Sequence, residues 1–175
     1  AHQHYLLRHA LPPNSLVGGR GLSPDGETLE LWPSSLDEQI AQRLLGAAAA
    51  SGRQPLVGIH PGGSGRWKTK RWDLNRWAQL CNRLAQQRVT VVVVGGPEER
   101  SIGEALARLT DPQPLMVIGR TSLMELACLV KRCDVFVAHD SSPVHLEAAV
   151  GTPTIALIVP TDPRRHVPST FSGRV

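Results

Sequence analysis

Val89-Thr90-Val91-Val92-Val93-Val94-Gly95-Gly96-Pro97-Glu98-Glu99 decides the fold of this chain. A β-branched run without polar alternation has no face suited to water, so it reads as a strand buried on both sides. Two glycines end it. Pro97 pre-sets the first turn of a helix, and Glu98 and Glu99 complement the positive end of that helix. The helix is expected to run to about Leu109.

The same grammar extends outward in both directions. Upstream, Leu56-Val57-Gly58-Ile59-His60 reads as a short strand that enters the loop Pro61-Gly62-Gly63-Ser64-Gly65. Trp77, Leu80, Cys81 and Leu84 then fall at i, i+3, i+4 and i+7, which predicts an amphipathic helix from about Leu74 to Gln87. Downstream, Leu115 to Ile118 is a strand. Ser122 with Glu125 forms a capping box before the stripe Leu123, Leu126, Ala127, Val130. Asp134 to Ala138 and Thr154 to Val159 are further strands. A short helix from His145 to Val150 lies between them, stopped by Gly151 and Pro153. Strands alternating with helices over short connections imply an α/β fold, a Rossmann-like parallel sheet with helices on both faces.

Residues 1–35 differ. Pro12-Pro13 and Gly18-Gly19 interrupt them and periodicity is poor, so they read as a linker or arm with one short strand at Leu29-Glu30-Leu31. A helix is expected from Leu36 to Ala50, opening a domain over 36–175. The chain opens Ala1-His2-Gln3-His4, without an initiator Met, a signal peptide or a cap, as expected of a piece of a longer protein.

Composition narrows the function. With 41% apolar and 19% charged residues, the 175-residue chain is neither disordered nor membrane-spanning. A net charge of +4 favours anionic ligands, but it is too scattered to imply nucleic acid. The three cysteines, Cys81, Cys128 and Cys133, lack CxxC spacing, and the seven histidines do not cluster with carboxylates. Buried thiols in a cytoplasmic protein, with no metal site, follow.

Ligands of parallel α/β sheets bind at the carboxyl ends of the strands, so the loops there hold the candidates. The first is His60-Pro61-Gly62-Gly63-Ser64-Gly65-Arg66-Trp67-Lys68-Thr69-Lys70-Arg71-Trp72. Small residues admit close backbone approach, a helix start attracts phosphate, and Lys and Arg supply countercharge. A P-loop is rejected because Trp67 stands where the second glycine is required. The plain alternative is a solvated basic loop anchored by two tryptophans. The second loop, Gly95 to Glu99, offers a carboxylate for ribose hydroxyls, or merely complements the helix dipole. The third, Gly119-Arg120-Thr121-Ser122, is explained by a capped helix start alone. The fourth, His139-Asp140-Ser141-Ser142-Pro143-Val144-His145, gathers side-chain oxygens at a helix start, as an N-cap also does. A Ser-His-Asp hydrolase is disfavoured: the residues crowd together and no G-x-S-x-G elbow occurs.

Taken in order, HPGGSGRWKTKRW, VVVVGGPEE, GRTSLMELACLVKRCDVFVAHDSSPVHLEAAVGTPTIAL and PTDP resemble the C-terminal half of the heptosyltransferase family, glycosyltransferase family 9. The resemblance covers about Pro55 to Pro163. Its most specific part is D-S-x-P-x-H-L-x-A-A-x-G-T-P-T.

The resemblance implies one half of a GT-B fold, which binds an ADP-heptose or related nucleotide sugar for inverting transfer to the lipopolysaccharide core. It implies that Ser64 and Lys70 meet the donor diphosphate and that Glu99 holds the ribose. Thr121 would lie at the adenine, and Asp140, Ser141 and Ser142 would meet sugar and phosphate, with His145 behind them. It further implies no metal and no cofactor, the ADP-sugar being a substrate. The general base and the acceptor site would lie on an N-terminal domain, so this stretch alone would be inactive. The place of work would be the cytoplasm, with room for peripheral association at the inner face of the inner membrane. Lys68 competes with Lys70 for the phosphate; anchoring on Trp72 selects Lys70. Departures from the family pattern are Ser142 in place of the usual glycine of D-S-G-P, and His139 and Glu147 where smaller or neutral residues are common. A non-catalytic nucleotide-binding module and a GT-B-like nucleotide-sugar epimerase are the alternatives.

Overall fold

A computed structural model describes residues 31–46, 54–63, 72–139, 146 and 149–157. Helix α1, Ser35–Leu45, starts at the N-cap Ser34, whose hydroxyl accepts from the Asp37 N–H while the Asp37 carboxylate accepts from the Ser34 N–H. It stops where Gly46 takes a positive φ of 52°. The helix is thus shorter than the periodicity predicts, because a glycine can leave the helical region at little steric cost. Leu31 lies outside any strand, and Leu29 and Glu30 fall outside the described residues.

Strand β1, Leu56–His60, leads to helix α2, Leu74–Gln86, capped by the Asp73 carboxylate on the Asn75 N–H. Strand β2, Thr90–Val93, is followed by a 3-10 turn at Pro97–Glu99 and helix α3, Arg100–Leu109. Then come β3, Leu115–Met116, helix α4, Leu123–Lys131, and strands β4, Val135–His139, and β5, Thr154–Leu157. The capping box of Ser122 and Glu125 is present on α4.

The strands form one parallel sheet in the order β3-β2-β1-β4-β5. The chain winds outward from β1 through β2 to β3, then returns to the other side for β4 and β5. The topological switch point therefore lies between β1 and β4, the place where open α/β sheets bind ligands. Two apolar clusters cover the two faces. Ala41, Leu45, Val92, Phe136, Leu129 and Val130 pack beneath α1 and α4. Ile59, Trp77, Val91, Val93, Leu106 and Val137 pack beneath α2 and α3. Alternate residues of each strand go to opposite faces, which is why β2 carries no polar face.

The Asp134 carboxylate accepts from the Leu56 N–H at 2.7 Å, and its own N–H donates to the Leu56 carbonyl at 2.8 Å, which pins the entry of β1 beside β4. No described helix is long and apolar enough to cross a membrane.

Candidate functional site at the switch point

His60 and His139 are the last residues of the two strands that flank the switch point. Both are buried, at 6% and 3% exposure. In the sheet register His60 stands opposite Ala138, so adjacent strands deliver the two imidazoles to opposite faces.

His60 works with Glu99. Its Nε2 lies 3.0 Å from Oε2 of Glu99. The same carboxylate accepts the Gly63 N–H on Oε1 and the Gly96 N–H on Oε2, each at 2.8 Å. One side chain from the 3-10 turn thus stitches the loop after β1 to the loop after β2. Burial opposes its ionisation, but the hydrogen bond and attraction of His60 and the N–H groups of Gly96 and Gly63 prevail and lower the carboxyl to about 2. An ionised Glu99 only accepts, so His60 donates through Nε2–H. His60 Nδ1 is buried without a hydrogen-bond partner among the described residues, as is Trp77 Nε1.

The glycines of these loops owe their identity to the same carboxylate. A Cβ on Gly62 would overlap the Glu99 carboxylate, and one on Gly95 would come within 2.5 Å of Oε2. The sequence marks these glycines for close approach to a ligand; in the structure the partner that approaches closely is Glu99.

His139 joins the loop after β1 to the segment before α2. Its Nε2 accepts the Trp72 N–H at 2.7 Å, and its Nδ1 is 2.8 Å from the Gly62 carbonyl. Trp77 packs edge-on against both the His139 ring, at 5.4 Å between centroids, and the Trp72 ring, at 5.1 Å. Trp77 is fully buried and Trp72 is half-buried against the same cluster; Trp67, the other tryptophan of the basic loop, lies outside the described residues. Gly119, at φ 67°, brings the loop after β3 to the same edge, its N–H on the Gly95 carbonyl at 2.9 Å. Thr121 follows, half-buried, ahead of the Ser122 cap.

Of the residues proposed from sequence, Glu99 and Thr121 are thus placed at the carboxyl edge of the sheet. Ser64, Lys70, Asp140, Ser141, Ser142 and His145 lie outside the described residues, as do Lys68 and Glu147. The organising roles of His60 and His139 escaped the sequence reading. The available signal was a histidine at the last position of each strand flanking the chain reversal. Cys81, Cys128 and Cys133 are all buried thiols. Burial pushes the Cys81 thiol up to about 11 against a backbone hydrogen bond, and burial followed by Glu38 and Asp37 raises Cys128. Nothing in that setting makes either a nucleophile.

With this edge built, the likeness to known proteins can be placed. The sequence profile of Glycosyltransferase family 9 (heptosyltransferase) matches residues 27–173. The chain belongs to glycosyltransferase family 9. This family 9 chain is 33% identical over 125 residues to lipooligosaccharide heptosyltransferase 2 of Haemophilus influenzae, a match that covers 69% of the chain and 36% of that relative. The chain therefore spans well under half of the relative's length. Its fold superposes on a crystal structure of a family 9 glycosyl transferase from Veillonella parvula with a TM-score of 0.79 at 21% identity, over 87% of this chain and 44% of that one. It also superposes on the E. coli heptosyltransferase WaaC with ADP, at a TM-score of 0.54 and 23% identity, over 70% of this chain and 38% of that one. The family 9 chain is accordingly a Rossmann-like half of the GT-B architecture.

Proposed function

We propose that this chain is the donor-binding half of a heptosyltransferase-type glycosyltransferase, with residues 36–175 as the nucleotide-sugar domain and 1–35 as the arm leading into it. The observation that carries the reading is the lacing of the loops after β1 and β2 to each other and to the last residue of β4. Glu99 ties Gly63 to Gly96, and His139 ties Gly62 to Trp72, all at one switch point. Ser64 follows Gly63 in the chain, and Asp140 follows His139.

The donor in this reading is ADP-heptose or a related nucleotide sugar, in keeping with a family member solved with ADP. Ser64 and Lys70 meet the diphosphate, and Thr121 lies at the adenine. Asp140, Ser141 and Ser142 meet sugar and phosphate, backed by His145. Glu99 has accepted three of the roughly four hydrogen bonds a carboxylate takes, so Oε1 retains one for a ribose hydroxyl. An acceptor hydroxyl, on a saccharide of the lipopolysaccharide core, attacks the anomeric carbon from the side opposite the ADP. The bond from that carbon to the phosphate oxygen breaks, its electron pair leaves on ADP, and the configuration inverts. The hydroxyl proton passes to a base on an acceptor domain beyond this stretch. Lys70 and backbone N–H groups stabilise the departing diphosphate. The work is done in the cytoplasm, with peripheral association at the inner membrane.

Calorimetric titration of the chain with ADP, ADP-heptose and UDP-sugars tests this. ADP and ADP-heptose are expected to bind. UDP binding without ADP binding would move the assignment to a nucleotide-sugar epimerase of the same architecture. ADP binding by a full-length protein that transfers nothing would leave only a nucleotide-binding module.

A further inference from the structure

Glu99 is a carboxylate whose hydrogen bonds are unequally shared. Oε2 accepts from His60 Nε2 at 3.0 Å and from the Gly96 N–H at 2.8 Å, which fills the two acceptor sites of that oxygen. Oε1 accepts from the Gly63 N–H at 2.8 Å and keeps one site. The backbone at Gly62 and Gly95 lies close against the same carboxylate and leaves it little room to turn. With 8% of the side chain exposed, the approach to it is narrow.

Of the three donors, two are backbone N–H groups that almost any residue would supply. His60 alone depends on a side chain. Its ring is buried and stands at the end of β1, the middle strand of the sheet, so its position is set by the core. Without the imidazole, Oε2 regains an acceptor site. A carboxylate with one open site on each oxygen can take both hydroxyls of a vicinal diol, one per oxygen. A carboxylate with one open site in all can take one.

We propose that His60 is a positioning residue that sets the hydroxyl specificity of this edge: by filling Oε2 of Glu99 it leaves a single acceptor on Oε1, so the carboxylate reads one ribose hydroxyl of the nucleotide and not the diol. That the ligand is a nucleotide rests on the function proposed above; the hold of His60 on Glu99 does not.

Calorimetry on the whole chain with ADP, 2′-deoxy-ADP and 3′-deoxy-ADP tests it. In the unmodified chain one deoxy analogue should bind about tenfold or more weaker than ADP, the effect of one lost hydrogen bond to a charged acceptor, and the other within about twofold. In His60→Ala both hydroxyls become readable, so the two analogues should differ by less than about threefold. His60→Gln, whose amide can donate to Oε2, should restore the contrast. Carbon-13 NMR of the side-chain carboxyl reports the hold without any ligand. Glu99 should titrate at about 2 in spite of its burial, and His60→Ala should move it upward. The analogue pair on the unmodified chain needs no variant, a comparison that stands even if His60→Ala does not fold. Equal losses for the two analogues on the unmodified chain, a folded His60→Ala that keeps the contrast, or a Glu99 titration indifferent to that change would each overturn the assignment of His60. If ADP binds and both analogues match it, the single-hydroxyl reading fails and the donor assignment stands. If ADP does not bind while His60→Ala still moves the Glu99 titration, the donor assignment fails and takes the hydroxyl specificity with it, and only the hold on Glu99 remains.

Discussion

His60 and Glu99, 39 positions apart, meet at 3.0 Å with both side chains buried, and through them the ends of β1 and β2 become one surface. The pair is the acid-sensitive point of the edge. Glu99 is held at about 2, below its ordinary 4.5, so it contributes stability that is fully present above about 4.5 and lost as pH falls through about 2. Urea melts across that range should show stability declining with acid. Glu99→Gln should flatten this decline, and at neutral pH should cost about 2–4 kcal/mol, because an amide NH2 turns a donor toward N–H groups. A variant with an unchanged acid profile would sink the assignment of this carboxylate.

Gly62→Ala tests the close packing directly. The added methyl would occupy the place of the Glu99 carboxylate, with backbone and carboxylate both fixed by hydrogen bonds. The expected loss is about 1–3 kcal/mol, the usual range for overpacking. Thermal melting reads it. The double variant Gly62→Ala with Glu99→Ala should recover part of the loss, as a shared clash requires.

Arg88 sits after α2 with φ 58°, a left-handed conformation in a residue with a Cβ. Its N–H bonds the Ala85 carbonyl, and the Val89 N–H bonds that of Leu84. Glycine adopts this conformation without the steric penalty. Arg88→Gly is expected to raise stability by about 0.5–1 kcal/mol, net of the greater freedom glycine has when unfolded. Chemical denaturation checks the sign.

Lys70→Ala addresses the proposed phosphate role. It should weaken ADP by about tenfold or more and leave adenosine within about twofold, since a lost charge-assisted hydrogen bond to phosphate costs about 1.5–3 kcal/mol. Lys68→Ala is the matched control; a larger effect there would transfer the role to Lys68. Equal losses for ADP and adenosine would remove both from the diphosphate.

The elements were legible because their signals are local. The β-branched run of β2, the stripe Trp77, Leu80, Cys81, Leu84 and the Ser122–Glu125 box each lie within a few residues of one another, and each forms as read. The boundary at Gly46 was the exception: a periodic face continued past a residue free to break it. The site was legible only as a list of loops. Family resemblance could attach roles to Glu99 and Thr121, but not the company Glu99 keeps.

From its own order of residues the chain determined an alternating α/β fold, its capped helices, its parallel strands and its place in family 9. Periodicity, capping and motif order are properties of neighbours along the chain. Only tertiary structure decided that Glu99 would be spent on His60, Gly63 and Gly96, and that His139 would grip Gly62 and Trp72. Those contacts span up to 77 positions and depend on the strand order, which brings β1 between β2 and β4. A hydrogen bond between such distant groups exists only after the sheet has formed, so no local pattern announces it.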